Sequence, residues 1–216
     1  MNGWILYKNP IEESWETRKL VEEFEKQDVK IRVVNPNDVD IFVDREDRKS
    51  IIVGGKPRWL PDFVIPRTGS GTTYFIKAII RHLERLGVTL INGSSAIDTV
   101  KDKLYTQQIL AESNLPVPKT LLLKHPINLD WVEKHLNFPV IIKTITGTQG
   151  IGVSIVNDYK SMISVIQSLW KFNADLLIQE YLEMDFDVRT IVVDGVIIAS
   201  TKRIKPKEDF RSNIHR

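Results

Sequence analysis

The chain has 216 residues, 42% of them hydrophobic and 27% charged, with a formal net charge of +2 at pH 7. That is apolar content for one large domain or two small ones, and the nearly balanced charge does not advertise nucleic acid as the partner of the whole chain. With zero cysteines there is no disulfide framework and no thiolate nucleophile or metal site, and the apolar runs are far too short for a membrane span, so a reducing, cytoplasmic setting is expected.

Residues 3–8 (Gly-Trp-Ile-Leu-Tyr-Lys) read as a first strand, closed by a turn at Asn9-Pro10. A helix reaching about Gln27 follows: Ser14 is a capping residue, Glu16 sits in the first turn, and Leu20, Val21 and Phe24 recur at helical spacing. Residues 29–34 form the next strand, which makes a strand-helix-strand unit with a parallel pair and a right-handed crossover. Between residues 35 and 61 the pattern weakens to short strands at 41–43 and 51–53 around a Gly54-Gly55 turn. Asp38, Asp40, Asp44 and Asp47 lack the glycine and closing glutamate of a calcium loop and read as solvated loop. Residues 63–65 are a strand running into Pro66-Arg67-Thr68-Gly69-Ser70-Gly71. Residues 73–86 are a helix with Phe75, Ile76, Ile79, Ile80 and Leu83 on its apolar side. Ligands of open α/β sheets sit at C-terminal strand ends, so Arg67 is a candidate anion contact and the candidate substrate residue, the alternative being an ordinary loop charge.

Residues 88–91 form another strand, Asn92-Gly93-Ser94-Ser95 a turn, and a helix from about 99 to 114 carries Asp102-Lys103-Leu104 before Pro116 and Pro118 break it. This break sets the expected boundary between an N-terminal α/β domain, residues 1–115, and a second domain, residues 116–216. The second opens with a strand at 120–123 and a helix at 129–136. Residues 139–153 then read Pro-Val-Ile-Ile-Lys-Thr-Ile-Thr-Gly-Thr-Gln-Gly-Ile-Gly-Val, a buried strand ending near Lys143 and a loop holding Gly147, Gly150 and Gly152. Glycine lets backbone N–H groups approach an anion closely, and the lysine adds a mobile positive charge. The spacing matches neither a phosphate-binding Gly-Lys-Ser/Thr loop nor a dinucleotide fingerprint. It is not that of a protein kinase either, where the glycine loop precedes the lysine and His-Arg-Asp and Asp-Phe-Gly follow. On these residues alone a phosphate clamp and a plain hairpin with a snorkelling lysine both stay open.

Residues 152–156 return as the partner strand, making the glycine loop a hairpin tip able to fold over a ligand. Asp158 caps a helix over 159–170 with Met162, Ile163, Val165, Ile166 and Leu169 as core residues. A strand over 176–182 carries Glu180 and Tyr181 at its end, and residues 188–193 and 196–202 flank the hairpin signal Asp194-Gly195. The second domain is therefore mostly antiparallel, with helices on one face. His82, His125, His135 and His215 share no metal spacing. The basic end, with Lys202, Arg203, Lys205, Lys207, Arg211 and Arg216, is interrupted by Glu208 and Asp209 and interleaved only by Phe210, which ranks RNA below a nucleotide.

Several of these stretches together resemble the RimK-like branch of the ATP-grasp ligases. They are Pro66-Arg67-Thr68-Gly69, Asp102-Lys103-Leu104, Val140-Ile-Ile-Lys-Thr144, Gly147-Thr-Gln-Gly-Ile-Gly-Val153, Gln179-Glu-Tyr181, Asp187-Val-Arg189 and Phe210-Arg-Ser-Asn-Ile-His-Arg216, in the family's order over nearly the whole chain. The resemblance implies an α/β ATP-grasp fold: a parallel pre-ATP-grasp domain, then an α+β antiparallel ATP-grasp domain with its lid subdomain at about 116–182 and the start of a C-terminal subdomain at 183–216. It implies ATP-dependent joining of a carboxylate to an amine through an acyl phosphate. Glutamate or a similar amino acid would be added to a protein C-terminus, such as a ribosomal protein tail, or to a small acceptor, by an enzyme that forms homo-oligomers.

The same resemblance places Lys103 and Lys143 on the ATP phosphates and Thr148, Gln149, Gly150, Ile151 and Gly152 over the β- and γ-phosphates. Glu180 and Tyr181 would edge the adenine and Asp187 the ribose. Arg203, Arg211, Ser212 and Asn213 would face the γ-phosphate and the incoming carboxylate, with Arg203, Arg211 and Asn213 as the catalytic set. The implied cofactors are ATP with Mg²⁺ or Mn²⁺. Metal ligands are expected in a segment after Arg216 rather than within these residues, which leaves an ATP-binding or regulatory module impaired in catalysis as the alternative function.

Overall fold

A computed structural model describes residues 1–43, 45, 50–123, 128–145, 152–170 and 175–206. The chain divides into two compact units, Met1–Lys101 and Asp102–Arg216.

In the first unit β1 (Asn2–Leu6) buries Trp4, Ile5 and Leu6. Ser14 opens α1 (Trp15–Glu25), its hydroxyl accepting the Thr17 N–H at 3.1 Å, which satisfies a donor the first turn leaves unpaired. The chain returns as β2 (Lys30–Val34), parallel to β1. The weakly patterned stretch is a small antiparallel sheet of β3 (Val39–Ile41), β4 (Ile51–Val53) and β5 (Lys56–Pro57). It is tied to the next helix by a buried contact, Ser50 Oγ lying 2.7 Å from His82 Nε2.

Next come β6 (Phe63–Pro66), α2 (Tyr74–Arg85) and β7 (Thr89–Leu90), which complete a parallel sheet in the order β2-β1-β6-β7. Ile76, Ile79, Ile80 and Leu83 of α2 pack with Trp4, Leu6 and Val64. Phe75, expected on the apolar side, is instead exposed. At 100° per residue it stands about a quarter turn from the middle of the buried stripe.

The single helix expected over residues 99–114 is two helices, α3 (Ser94–Lys101) and α4 (Lys103–Glu112). Asp102 separates them: its backbone is extended, and its Oδ1 accepts the N–H groups of Leu104 at 3.0 Å and Tyr105 at 2.9 Å. A carboxylate that can cap a new helix competes with continuing the old one. The two units divide at this cap, whereas the proline pair points to residue 115, and α4 with Lys103 lies in the second unit.

The second unit is built from β8 (Thr120–Leu123), α5 (Leu129–His135), β9 (Val140–Thr144), β10 (Val153–Val156), α6 (Tyr159–Trp170) and β11 (Leu176–Glu180). Its four strands are antiparallel in the order β10-β9-β11-β8. Val132 and Leu136, Met162 and Ile166 cover Val140, Ile142, Leu176 and Ile178 to form the core. A separate hairpin follows, β12 (Phe186–Val193) and β13 (Val196–Ile204), turning at Asp194-Gly195. Among the described residues no helix is long and apolar enough to cross a membrane.

Candidate nucleotide site

Lys143 sits within the second unit's sheet, opposite Val153 on β10 and Leu177 on β11. Ile141, two residues back and on the same face of β9, is buried, and Lys143 itself is half-buried, so the aliphatic stem of the lysine is largely withdrawn from water. The ammonium donates to Gln179 Oε1. Gln179 Nε2 donates in turn to Thr120 Oγ1 at 2.7 Å, and the Thr120 hydroxyl donates to the Pro118 carbonyl at 2.9 Å. Because the Thr120 proton is committed to Pro118, the amide must offer its nitrogen to Thr120 and its oxygen to Lys143. The cation is positioned by a neutral relay rather than cancelled by a carboxylate.

Lys103, the first residue of α4, donates to the carbonyls of Thr144 and Ile145, both at 3.0 Å. Burial holds the Lys103 ammonium below the usual lysine range; burial first, and then the charge of Lys103, does the same to Lys143. Two partly desolvated cations at the root of a glycine loop repel each other until an anion enters. A ligand with several negative charges relieves both at once, which is the electrostatic character of a polyphosphate site.

At the far root of the loop the Thr144 N–H donates to the Gly152 carbonyl at 3.1 Å. Gly152 has φ +76°, and a Cβ there would lie 2.6 Å from Thr144 Oγ1, so only glycine closes the chain against β9. Thr148, Gln149, Gly150 and Ile151 lie outside the described residues, as do Gly147, Arg211, Ser212 and Asn213. So do Asp44, Asp47, His125, Lys207, Glu208, Asp209, Phe210, His215 and Arg216.

Glu180, at the end of β11, exchanges bonds with Lys119: its N–H donates to the Lys119 carbonyl at 3.0 Å, and its Oε1 accepts the Lys119 N–H at 2.9 Å. Tyr181 Oη accepts from Lys205 Nζ at 3.4 Å. Asp187 and Arg203 face each other across the hairpin and form a two-bond pair, Nε to Oδ1 at 2.6 Å and Nη2 to Oδ2 at 2.9 Å. The carboxylate raises the pKa of Arg203. The structure thus brings together two residues that the motifs assign to different parts of the nucleotide.

Gln179 stands in the Gln179-Glu-Tyr181 motif without a role of its own, and Thr120 and Lys119 are contributors that sequence reasoning passed over. The available signal was Gln179 itself, an amide in a strand otherwise reading Leu-Leu-Ile before it. In the first unit Arg67 follows β6, its N–H donating to the Leu6 carbonyl at 2.9 Å. Among the described residues no group of three His, Asp or Glu side chains gathers to hold a metal ion, so the holding of Mg²⁺, which would neutralise a triphosphate, is assigned to none of them.

The RimK PreATP-grasp domain model matches residues 1–97, and that of the RimK-like ATP-grasp domain matches residues 100–216. The chain belongs to the RimK-like ATP-grasp family. A probable alpha-L-glutamate ligase of Marinomonas sp. (strain MWYL1) is 36% identical over 98% of this chain and 70% of its own length. The RimK domain ATP-grasp protein of Sphaerobacter thermophilus DSM 20745 superposes with a TM-score of 0.70 at 15% identity, over 100% of this chain and 76% of that one. The ATP-grasp ligase PsnB, complexed with minimal precursor, Mg and ADP, gives 0.65 at 17% identity over 92% and 71%. At such identities the two structures establish the ATP-grasp fold, while the sequence relatives make this RimK-like chain an ATP-dependent carboxylate-amine ligase.

Proposed function

We propose that the enzyme joins the amine of glutamate, or a similar acidic amino acid, to a carboxylate at the end of a peptide or protein, inside an ATP-supplied, reducing compartment. In the first step an acceptor carboxylate oxygen attacks the γ-phosphorus of ATP and ADP leaves. In the second the amine nitrogen attacks the acyl carbon, phosphate departs and the nitrogen gives up a proton. Both steps move negative charge through phosphate oxygens, so fixed cations lower the barrier.

The observation that carries this reading is the desolvated pair of Lys143 and Lys103 at the root of the glycine loop, the first held by a neutral amide. In this proposal the two lysines hold the phosphates and the loop from Thr148 to Gly152 closes over them. Strand-end backbone near Glu180 and Tyr181 edges the base, and Asp187 touches the ribose when Arg203 turns to the γ-phosphate beside Arg211, Ser212 and Asn213. The relatives named glutamate ligases support the amino acid, and PsnB, whose complexes hold Mg with ADP and a precursor peptide, supports Mg²⁺ and a peptide substrate.

Calorimetry with ATP tests the carrying residue. Lys143→Ala is expected to weaken ATP binding about tenfold or more, and Lys143→Arg to keep part of it. Unchanged affinity in Lys143→Ala would remove this lysine from the site. ADP release that rises with glutamate and a peptide acceptor together, and with neither alone, tests the reaction.

A further inference from the structure

The first unit has a cationic corner that the nucleotide chemistry does not use. The backbone bond from Arg67 to Leu6 seats the arginine beside the end of β1. Lys8, just past that strand, reaches the turn Gly69–Gly71: a Cβ on Gly71 would meet Lys8 Nζ at 2.9 Å. The turn is internally braced, with Thr68 and Thr72 hydroxyls 2.7 Å apart and Thr72 donating to the Gly69 carbonyl at 2.7 Å, so those groups are already spent on each other.

Arg67 Nε is different. It is buried and has no hydrogen-bond partner among the described residues. A buried guanidinium donor left unbonded is costly, and such groups in folded proteins are normally completed by a ligand or water. The acid nearest in charge is Glu16, whose carboxyl is held down by its own backbone N–H and Ser14, and after these by Arg67. Its Oε2 accepts from Ser14 Oγ at 3.2 Å, and no ion pair joins it to Arg67 among the described residues.

Arg67 and Lys8 bring positive charge to the two sides of this turn, which suits an anion. The guanidinium fork also matches two carboxylate oxygens. A carboxylate clamped in that way has its lone pairs engaged and makes a poor nucleophile, so the corner suits a group that is recognised rather than one that reacts.

We infer that Arg67, Lys8 and the Gly69–Gly71 turn bind the non-reacting carboxylate of the amine-bearing substrate, an acidic amino acid. The identity of this ligand as a substrate rests on the ligase reading above; its binding does not. The test is a titration of the full chain with L-glutamate in the absence of nucleotide, followed by the backbone amide signals of Gly69 and Gly71. The wild type is expected to show saturable shifts, glutarate to reproduce them, and n-propylamine to leave them still.

Arg67→Ala should weaken glutamate about tenfold or more. Arg67→Lys should fall between it and the wild type, and Lys8→Ala should lose a few-fold. Arg58 also has a buried, unpartnered Nε but follows β5, and Arg58→Ala should change nothing. The inference is overturned if the wild type shows no saturable shift, if Arg67→Ala binds glutamate as the wild type does, or if Arg58→Ala loses as much as Arg67→Ala. ATP affinity measured on the same samples keeps the two proposals apart. Glutamate binding lost with ATP binding intact in Arg67→Ala supports this corner, and a failed Lys143→Ala test leaves it standing.

Discussion

Strands β9 and β11 pair antiparallel, and so do β12 and β13, but the side chains of the two pairs meet different surroundings. On β9 and β11, Val140, Ile142, Leu176 and Ile178 are covered by residues of α5 and α6. On the hairpin Val188, Ile191, Val193, Ile197 and Ile198 are all exposed among the described residues. Backbone pairing is common to both; the covering helices are not. The charged groups differ as well. Lys143, which alternation sets on the face of the sheet opposite those core residues, is desolvated and held by Gln179, whereas the part-exposed Arg203 of the hairpin is occupied by Asp187 in a pair that solvent and salt weaken.

The strongest way to break this comparison is to truncate one isoleucine in each place. Ile142→Ala removes packing from a side chain with no exposed surface and should cost about 2–5 kcal/mol in urea unfolding of the full chain. Ile198→Ala, at an exposed position, should stay within about 0.5 kcal/mol. Equal losses would mean that the hairpin face is covered in the protein.

A smaller effect sharpens the same contrast through two glycines of nearly equal backbone angle. Gly152 has φ +76° and a Cβ there would strike Thr144 Oγ1 at 2.6 Å; Gly195 has φ +75° with open space around it. Gly195→Ala should therefore cost only left-handed strain, about 1–2 kcal/mol. Gly152→Ala should add a steric penalty of about 1–3 kcal/mol. Unfolding midpoints of both variants, and of Gly152→Ala combined with Thr144→Ala, measure this. If the double variant recovers none of the extra loss, the threonine contact is not its source.

The parts legible in the sequence were those whose cause is local. Ser14 and Asp158 announce helix starts by side-chain chemistry alone, and Asp194-Gly195 announces its turn. Lys143 was legible because the strand and the glycines flank it directly. The small sheet of β3, β4 and β5 was only half legible, since strands of two or three residues are too short to show an alternating pattern. The Lys143 and Gln179 contact depends on register: Gln179 lies two positions along β11 from Leu177, which faces Lys143, and such diagonal neighbours appear only once the strands are paired. Register also hides the Asp187 and Arg203 pair. Counting back from the turn sets Asp187 opposite Lys202, and a bulge between Ile191 and Val192 moves it to Arg203.

The smallest expected effect comes from the desolvated charge of Lys143. Lys143 releases its proton at a lower pH in the folded chain than in the unfolded one, whose lysines titrate near the ordinary value of about 10.4. Between those two values the unfolded chain binds more protons, so this residue makes stability rise with pH; below both it imposes a constant penalty. Lys143→Met removes the penalty. Without nucleotide the variant should be more stable than the wild type at pH 7, and the gap should narrow as pH climbs toward 10, with Lys103 keeping a slope of its own in both proteins. Added ATP should stabilise the wild type more than the variant and so close or reverse the gap. Arg203→Met offers the contrast: arginine stays protonated throughout this range, and its part-exposed pair should respond to added salt rather than to pH. A Lys143→Met chain less stable than the wild type at neutral pH would show that the bond to Gln179 outweighs the cost of burying the ammonium.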